Sequence, residues 1–171
     1  MEIPDKLSPY TDTALIYVHL RIIIAMTFPE KRPFQMSALL RASDRPVDLR
    51  TPASAAAAMR TFWRLADAWS LSAAEQMTLL GVGRSTLYQW KQGRFAALDR
   101  HVLERLSYLF GIHAALQILL PVPERATQWL RKPNSAPLFG GRSALDRMLG
   151  GQVADLFVVR QYLDAQRGGK A

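Results

Sequence analysis

The chain has 171 residues, which is enough for one hydrophobic core or for two small units that share one. Its 49% hydrophobic content is that of a globular protein rather than a disordered one. The absence of cysteine excludes disulfides and thiolate metal sites, and the three histidines lie far apart with no carboxylate pattern that joins them. A formal net charge of +8 favours anionic partners, nucleic acid first.

The first 50 residues differ from the rest of the chain in charge. They hold 7 basic and 6 acidic residues, whereas residues 51–171 hold 15 and 8. Their apolar run, Ala14–Met26, is too short to span a bilayer and lacks the features of a secretory signal. We expect an N-terminal extension of unknown role. It either packs on the helical body or a second subunit, or lies upstream of a natural start at Met26 or Met36.

A first helix is predicted to begin at Thr51, because a threonine N-cap followed by proline is a typical helix start. The helix is alanine-rich and has a continuous apolar stripe at helical spacing, formed by Met59, Phe62, Trp63, Ala66 and Trp69. We expect the aromatic residues of this stripe to be core residues, so they do not indicate a cofactor site.

The stretch 71–93, LSAAEQMTLLGVGRSTLYQWKQG, predicts two short helices joined by a tight turn. Ser72 and Glu75 have the spacing of a capping box at the start of the first helix. Gly81 stands where the chain leaves that helix, a position that favours the positive φ of glycine. Met77 is bulkier than the small residue that usually lies four positions before the turn glycine. The pattern nevertheless predicts a helix-turn-helix.

The second helix of this motif is predicted from Arg84 to about Gln92. Leu87 and Trp90 lie three residues apart and anchor one face, while the other face is rich in hydrogen-bond donors. One alternative is a plain helical hairpin whose polar face only meets water. On the helix-turn-helix interpretation, the residues that face the major groove are Arg84, Ser85, Tyr88 and Gln89, and those that meet phosphates are Lys91 and Arg94.

Two further helices are predicted after the motif, Leu98–Phe110 and His113–Leu120, with Gly111 as the interruption between them. The prolines at 121 and 123 end the second one. Residues 51–120 would then contain about five helices, which is the size of a compact repressor-like DNA-binding domain.

The C-terminal third is predicted to contain three helices separated by an irregular loop. One begins at Pro123, and a second, short one begins at the capping box of Ser143 and Asp146. Gly140 and Gly141 favour a tight turn; a phosphate site at this point has little support, because no strand precedes it. The last helix, residues 152–166, has apolar residues on two faces. Since one face suffices to hold a terminal helix on its domain, we expect the second face to bind a partner. The alternative is a helix buried deeply in the core of its own domain.

The order WLRKPNSAPLFGGRSALDRMLGG, followed by a helix with VRQYL and a closing glycine, closely resembles the C-terminal module of the Xre/MbcA/ParS antitoxins, which follows a helix-turn-helix of this kind. The resemblance covers roughly residues 53–169. The chain departs from the family's pattern in its N-terminal extension, in Met77 and in Gly83. At the position of Gly83 a serine usually caps the recognition helix. The residues that match in spacing are Trp129, Pro133, Asn134, Gly140, Gly141, Arg142, Leu145 and Asp146.

The resemblance implies an all-α protein with a helix-turn-helix DNA-binding domain, residues 51–121, and a small helical toxin-binding domain, residues 122–171. In that family the C-terminal module blocks a toxin, commonly a RES-domain enzyme that consumes NAD, and the helix-turn-helix represses the operon. We therefore expect a cytoplasmic homodimeric antitoxin with no catalytic activity, cofactor or membrane attachment. The predicted toxin-binding residues are Trp129, Asn134, Arg142, Val159, Tyr162, Leu163, Arg167 and Lys170.

Two other functions remain open from the sequence. The first is a stand-alone transcription regulator whose C-terminal module serves only dimerisation, and a toxin gene beside this one would argue against it. The second is a small enzyme. It has little support, because the sequence has no nucleophile–base pair, paired carboxylates, metal cluster or complete phosphate loop.

Overall fold

The computed structural model describes residues 51–168, and within that range the chain is all-α, as predicted. No helix in this part of the chain is long and apolar enough to cross a membrane. The predicted N-terminal extension, with its possible starts at Met26 and Met36, lies outside the described residues. The helices are α1 (Pro52–Ala68), α2 (Ala73–Leu80), α3 (Arg84–Lys91), α4 (Arg100–Leu119), α5 (Pro123–Arg131), α6 (Ala144–Met148) and α7 (Val153–Gly168).

The predicted helix starts are confirmed by the hydrogen bonds that cap them. The Thr51 hydroxyl accepts a hydrogen bond from the backbone N–H of Ser54 at 3.1 Å, with Pro52 in the first turn of α1. At α2, Ser72 and Glu75 form the complete capping box. Gly81 leaves α2 with a φ of 68°, which glycine adopts at little cost. The helix-turn-helix geometry therefore follows from local sequence signals.

One hydrophobic core runs through both halves of the described chain. The stripe of α1 supplies Met59 and Phe62, neither of which retains exposed surface, while Trp63 lies half-buried at the edge of the core. Met77 is also only half-buried and packs against the margin of the core. The bulk of Met77 is therefore accommodated at the surface of the motif.

The predicted break at Gly111 is wrong: α4 is a single helix of 20 residues that passes through this glycine without interruption. Residues 51–120 consequently contain four helices rather than about five. Gly111 is buried, and a Cβ at this position would collide with the guanidinium of Arg160 on α7. The glycine thus leaves room for the guanidinium of Arg160 against α4, at a cost of about 1 kcal/mol in helix propensity relative to alanine.

Helix α7 packs mainly along α4, and this packing changes which of its residues are accessible. Leu156, Val159 and Leu163 are buried, with exposures of 0%, 0% and 1%. The expectation that α7 leaves a second apolar face uncovered is wrong at Val159, and the assignment of Leu163 to toxin binding is wrong as well, because both side chains are enclosed in the core. Neither side chain is available to a partner protein in this fold.

The two halves of the chain are joined by hydrogen bonds as well as by the core. On α5, Thr127 donates to the carbonyl of Ala68 at 2.8 Å, and Arg131 donates to the carbonyls of Trp69 and Ser70 at 3.1 and 2.7 Å. On α4, Arg105 donates to the carbonyl of Gly151 at 2.7 Å. The C-terminal helices are therefore fixed on the helix-turn-helix.

Candidate functional site

Helix α3 has one buried side and one exposed side, as predicted. Leu87 is buried and Trp90 half-buried. Because successive helical residues are rotated by about 100°, Ser85, Tyr88 and Gln89 lie on the opposite side, and all three are exposed. Tyr88 is 62% exposed. A tyrosine this exposed needs no place in the core and is available to a ligand.

The flank of α3 carries cationic side chains. Arg84 and Lys91 are both exposed and lie on the same side of the helix, one at each end. The Nζ of Lys91 lies 5.6 Å from the ring centroid of Trp63 on α1, within the range of a cation–π interaction. Just after the helix, the guanidinium of Arg94 donates to the side-chain oxygen of Gln92. The structure therefore places all six predicted DNA-binding residues at one exposed surface around α3.

The start of α3 is uncapped by any side chain. Gly83 occupies the N-cap position in an extended conformation and makes no side-chain hydrogen bond. The first backbone N–H groups of a helix have no partner within the helix, so this end presents donors as well as a partial positive charge. The absence of the usual serine thus leaves donors of the first turn without a side-chain acceptor.

The cations around α3 have no carboxylate partners among residues 51–168, and this holds for Arg84, Lys91 and Arg94. Four arginines of the C-terminal half, in contrast, each pair with an acidic side chain. A cation without such a partner binds a phosphate without first breaking an ion pair, and DNA offers a continuous row of phosphates. The paired arginines are Arg131, Arg147, Arg160 and Arg167, with partners Glu75, Asp155, Asp164 and Asp164 respectively.

In the C-terminal half, three aromatic side chains from three segments meet. Trp129 of α5 stacks on Tyr162 of α7, with ring centroids 6.3 Å apart and planes 18° apart. Phe139, from the loop before α6, contacts both rings edge-on and is fully buried beneath them. Trp129 and Tyr162 are half-buried, so they form an aromatic patch at the surface.

Of the other predicted toxin-binding residues, Asn134 has a structural role. Its side-chain oxygen accepts from the backbone N–H of Ala136 at 3.0 Å, and its backbone exchanges hydrogen bonds with Gly141 and Arg142. The tight turn predicted at the glycine pair is confirmed, with φ of 57° at Gly140 and 80° at Gly141. This closed loop holds Arg142 on the surface, where it is exposed and its backbone N–H donates to the carbonyl of Phe139 at 3.0 Å.

Arg167 is exposed near the end of α7, and its guanidinium lies 3.4 Å from the carboxylate of Asp164. It lines a shallow depression of about 580 Å³ together with Ile118 at the end of α4. Sequence reasoning missed Ile118, which is 47% exposed, because it was assigned to an apolar buried helix. Lys170 lies outside the described residues.

Three ionisable groups have pKa values below their ordinary range. Hydrogen bonds from the hydroxyl and backbone N–H of Ser143 lower the pKa of Asp146. Partial burial acts to raise the pKa of Glu75, but the hydrogen bonds from Ser72 and from an arginine of α5 outweigh it and lower the pKa. Burial lowers the pKa of His113. Each group therefore favours its unprotonated form in the fold.

Comparison with known proteins matches both halves of the chain. A model described as the antitoxin Xre-like helix-turn-helix domain matches residues 48–111, and one described as the antitoxin Xre/MbcA/ParS C-terminal toxin-binding domain matches residues 115–169. A protein of Sinorhizobium fredii, named uncharacterized protein y4oB, is 51% identical over 114 residues, which cover 66% of this chain and 86% of that protein.

The two matched segments follow each other almost without a gap and meet inside α4. The first contains the exposed cationic surface around α3, and the second contains the aromatic patch. Proteins of this type are antitoxins, which are not normally catalytic, and their two domains imply DNA and a toxin as partners. From the order of its domains and the surfaces that each exposes, we conclude that the chain belongs to the Xre/MbcA/ParS antitoxin family.

Proposed function

We propose that the protein neutralises a RES-type, NAD-consuming toxin and binds operator DNA to repress its own transcription. The observation that carries this proposal is the pairing of an Xre-like helix-turn-helix with an adjoining toxin-binding domain, each with an exposed surface of suitable chemistry. Both activities are proposed for a cytoplasmic homodimer, because two symmetric subunits match the two half-sites of a palindromic operator.

For DNA binding, the proposal assigns different tasks to two groups of residues. Arg84, Ser85, Tyr88 and Gln89 would read base edges in the major groove, where an arginine pairs with guanine and an amide pairs with adenine. Lys91 and Arg94 would contact phosphates, which fix the orientation of the protein but carry no sequence information. The exposure of these side chains and their lack of carboxylate partners within residues 51–168 support this division.

For toxin binding, the proposal rests on the aromatic patch and the cations beside it. Trp129 and Tyr162 are half-buried aromatic side chains, a type enriched at protein interfaces. Arg142 is exposed on the loop that follows Phe139, and Arg167 is exposed five residues after Tyr162 on α7. The cations Arg167 and Lys170 would lie near the pocket of the toxin for its anionic substrate.

The residues that the fold encloses support this surface indirectly. Val159 and Leu163 hold α7 against α4, and Asn134 closes the loop that presents Arg142. Their contribution to toxin binding would thus be to position other side chains. Replacing them would reduce toxin binding only to the extent that the fold is disturbed.

The test is co-expression with the product of the adjacent gene. We expect the two proteins to co-purify, the antitoxin to restore growth, and the NAD-consuming activity of the partner to fall when the antitoxin is added. Arg142→Glu should weaken the complex, whereas the matched control Arg125→Glu, an exposed charge reversal on α5, should not. A stable homodimer that binds no neighbouring gene product would instead favour the stand-alone regulator.

A further inference from the structure

Helix α1 carries an arginine, Arg60, that lies outside the helix-turn-helix motif but beside its second helix. Trp63, one turn later on α1, lies against Lys91 of α3, with Nζ 5.6 Å from the ring centroid. This contact places the middle of α1 near the C-terminal end of α3. Arg60 is rotated by about 60° from Trp63 around the helix axis and is exposed.

The electrostatic surroundings of Arg60 resemble those of the cations on α3. Among residues 51–168, Arg60 has no ion-pair partner. The next acidic residue on the exposed side of α1 is Asp67, about two turns away. The exposed surface of α1 next to α3 is therefore cationic.

The contact between Trp63 and Lys91 affects how the lysine meets a ligand. A lysine side chain has several rotatable bonds, and fixing it in one conformation costs conformational entropy. The face of the tryptophan ring attracts the ammonium group and restricts the side chain before any ligand arrives. Less entropy is then lost when the ammonium binds a phosphate.

We propose that Arg60 contacts a phosphate of bound DNA, and that Trp63 positions Lys91 for a phosphate nearby on the same strand. Phosphates of one strand follow each other at about 3.4 Å along the DNA axis, so cations on neighbouring helical turns can meet successive phosphates. Helix α1 thereby extends the DNA interface beyond the motif that the sequence predicted. This inference rests on the DNA binding proposed above.

The first experiment measures the salt dependence of DNA binding by fluorescence anisotropy. Two duplexes of equal length serve as probes, one from the region upstream of the coding sequence and one of random sequence. One lost phosphate contact lowers the slope of log K against log salt by about 0.9, which corresponds to about fivefold in affinity near 0.15 M salt. We expect Arg60→Ala to show this loss on both duplexes.

Two variants control this experiment. Arg60→Lys keeps the charge and should retain most of the affinity, and Arg125→Ala removes an exposed arginine that has no assigned role and should leave both slope and affinity unchanged. If Arg60→Ala and Arg125→Ala give the same salt dependence and the same DNA affinity, the proposed contact between Arg60 and a phosphate is wrong. If the wild-type protein binds neither duplex, the proposed DNA binding fails, and this inference fails with it.

The role of Trp63 is tested by a double-mutant cycle with Lys91, because Trp63 also packs against Phe62 and its replacement has structural effects. Trp63→Leu should lower DNA affinity when Lys91 is present and have no further effect in the Lys91→Ala background. Trp63→Phe, which keeps an aromatic face, should restore part of the affinity. Equal effects of Trp63→Leu in both backgrounds would show that Trp63 acts through stability alone.

Discussion

The two halves of the molecule use their arginines and lysines in different ways. Around α3, the cations have no carboxylate partners within residues 51–168, whereas four arginines of the C-terminal half are paired with Asp or Glu. One of these pairs, between Arg131 and Glu75, joins the two halves. The positive charge around α3 is thus available to an external anion, and much of that in the second half is used within the fold.

This difference explains why the net charge of the sequence overstates the surface that can bind nucleic acid. Both halves have an excess of basic residues. An arginine that already faces a carboxylate must give up that interaction before it binds a phosphate. A salt-dependent affinity for DNA should therefore come from the helix-turn-helix half, and the C-terminal half should contribute little to it.

The largest effect should come from the core that holds α7 on α4. Leu163 is 1% exposed, and Leu163→Ala should lower the free energy of unfolding by about 2–5 kcal/mol through lost burial and a cavity. Urea denaturation measures this loss. Toxin affinity, compared at equal folded fraction, should change little. A large loss of affinity in a fully folded variant would show that Leu163 contacts the toxin after all.

The next largest effects should be on DNA affinity. They distinguish a residue assigned to base contacts, Arg84, from one assigned to phosphate contacts, Lys91. Arg84→Ala should lower affinity for the operator by about 1–3 kcal/mol and reduce the preference for it over random DNA. Lys91→Ala should weaken binding to all sequences alike and flatten the salt dependence. Gel-shift titrations on both kinds of DNA separate these outcomes. Unchanged operator binding by Arg84→Ala would refute the groove assignment.

The parts of this fold that were predictable depend on neighbouring residues. The capping box of Ser72 and Glu75, the turn at Gly81 and the anchoring of α3 by Leu87 all act within a few residues, so the sequence displays them directly. The glycine turn after Asn134 was predictable for the same reason. The helix-turn-helix and its exposed face followed from these signals.

What the sequence did not predict depends on contacts between distant residues. Gly111 has the local features of a helix break, but α4 continues through it, and the guanidinium of Arg160 from the distant α7 lies against it. Once α4 is taken as one helix, it covers Val159 and Leu163, which had been assigned to a partner. The contact of Trp63 with Lys91 joins residues from different helices and has no local signal. The wrong assignment of Val159 and Leu163 thus goes together with the error in predicting α4, whereas the contact of Trp63 with Lys91 is a separate omission.

Acidification should destabilise both halves, in two stages. The pKa of His113 is lowered from 6.5 by burial, so the unfolded chain binds this proton more readily and stability falls as the pH drops below about 6.5. The lowered pKa values of Glu75 and Asp146 stabilise the fold above their unfolded values of 4.5 and 3.8, and this contribution is lost at lower pH.

Thermal denaturation at a series of pH values checks this order. We expect the melting temperature to be highest near neutral pH, to fall first through the titration of His113 and again through that of the two carboxylates. His113→Gln should remove the first stage and leave the second. A melting temperature that rises between pH 7 and pH 5 would contradict the burial of a neutral imidazole.

The smallest effect should come from the ion pair that joins the halves. Glu75→Gln removes the charge that faces Arg131 but keeps a side-chain oxygen for the capping box, since glutamine also serves at this position. Because both side chains are partly exposed, the loss should be about 0.2–1 kcal/mol and should shrink at high salt. The hydrogen bonds from Arg131 to the carbonyls of Trp69 and Ser70 would remain. Denaturation at low and high salt measures the difference. A loss that is larger and independent of salt would mean that Glu75 stabilises the fold through the capping box of α2 rather than through its charge.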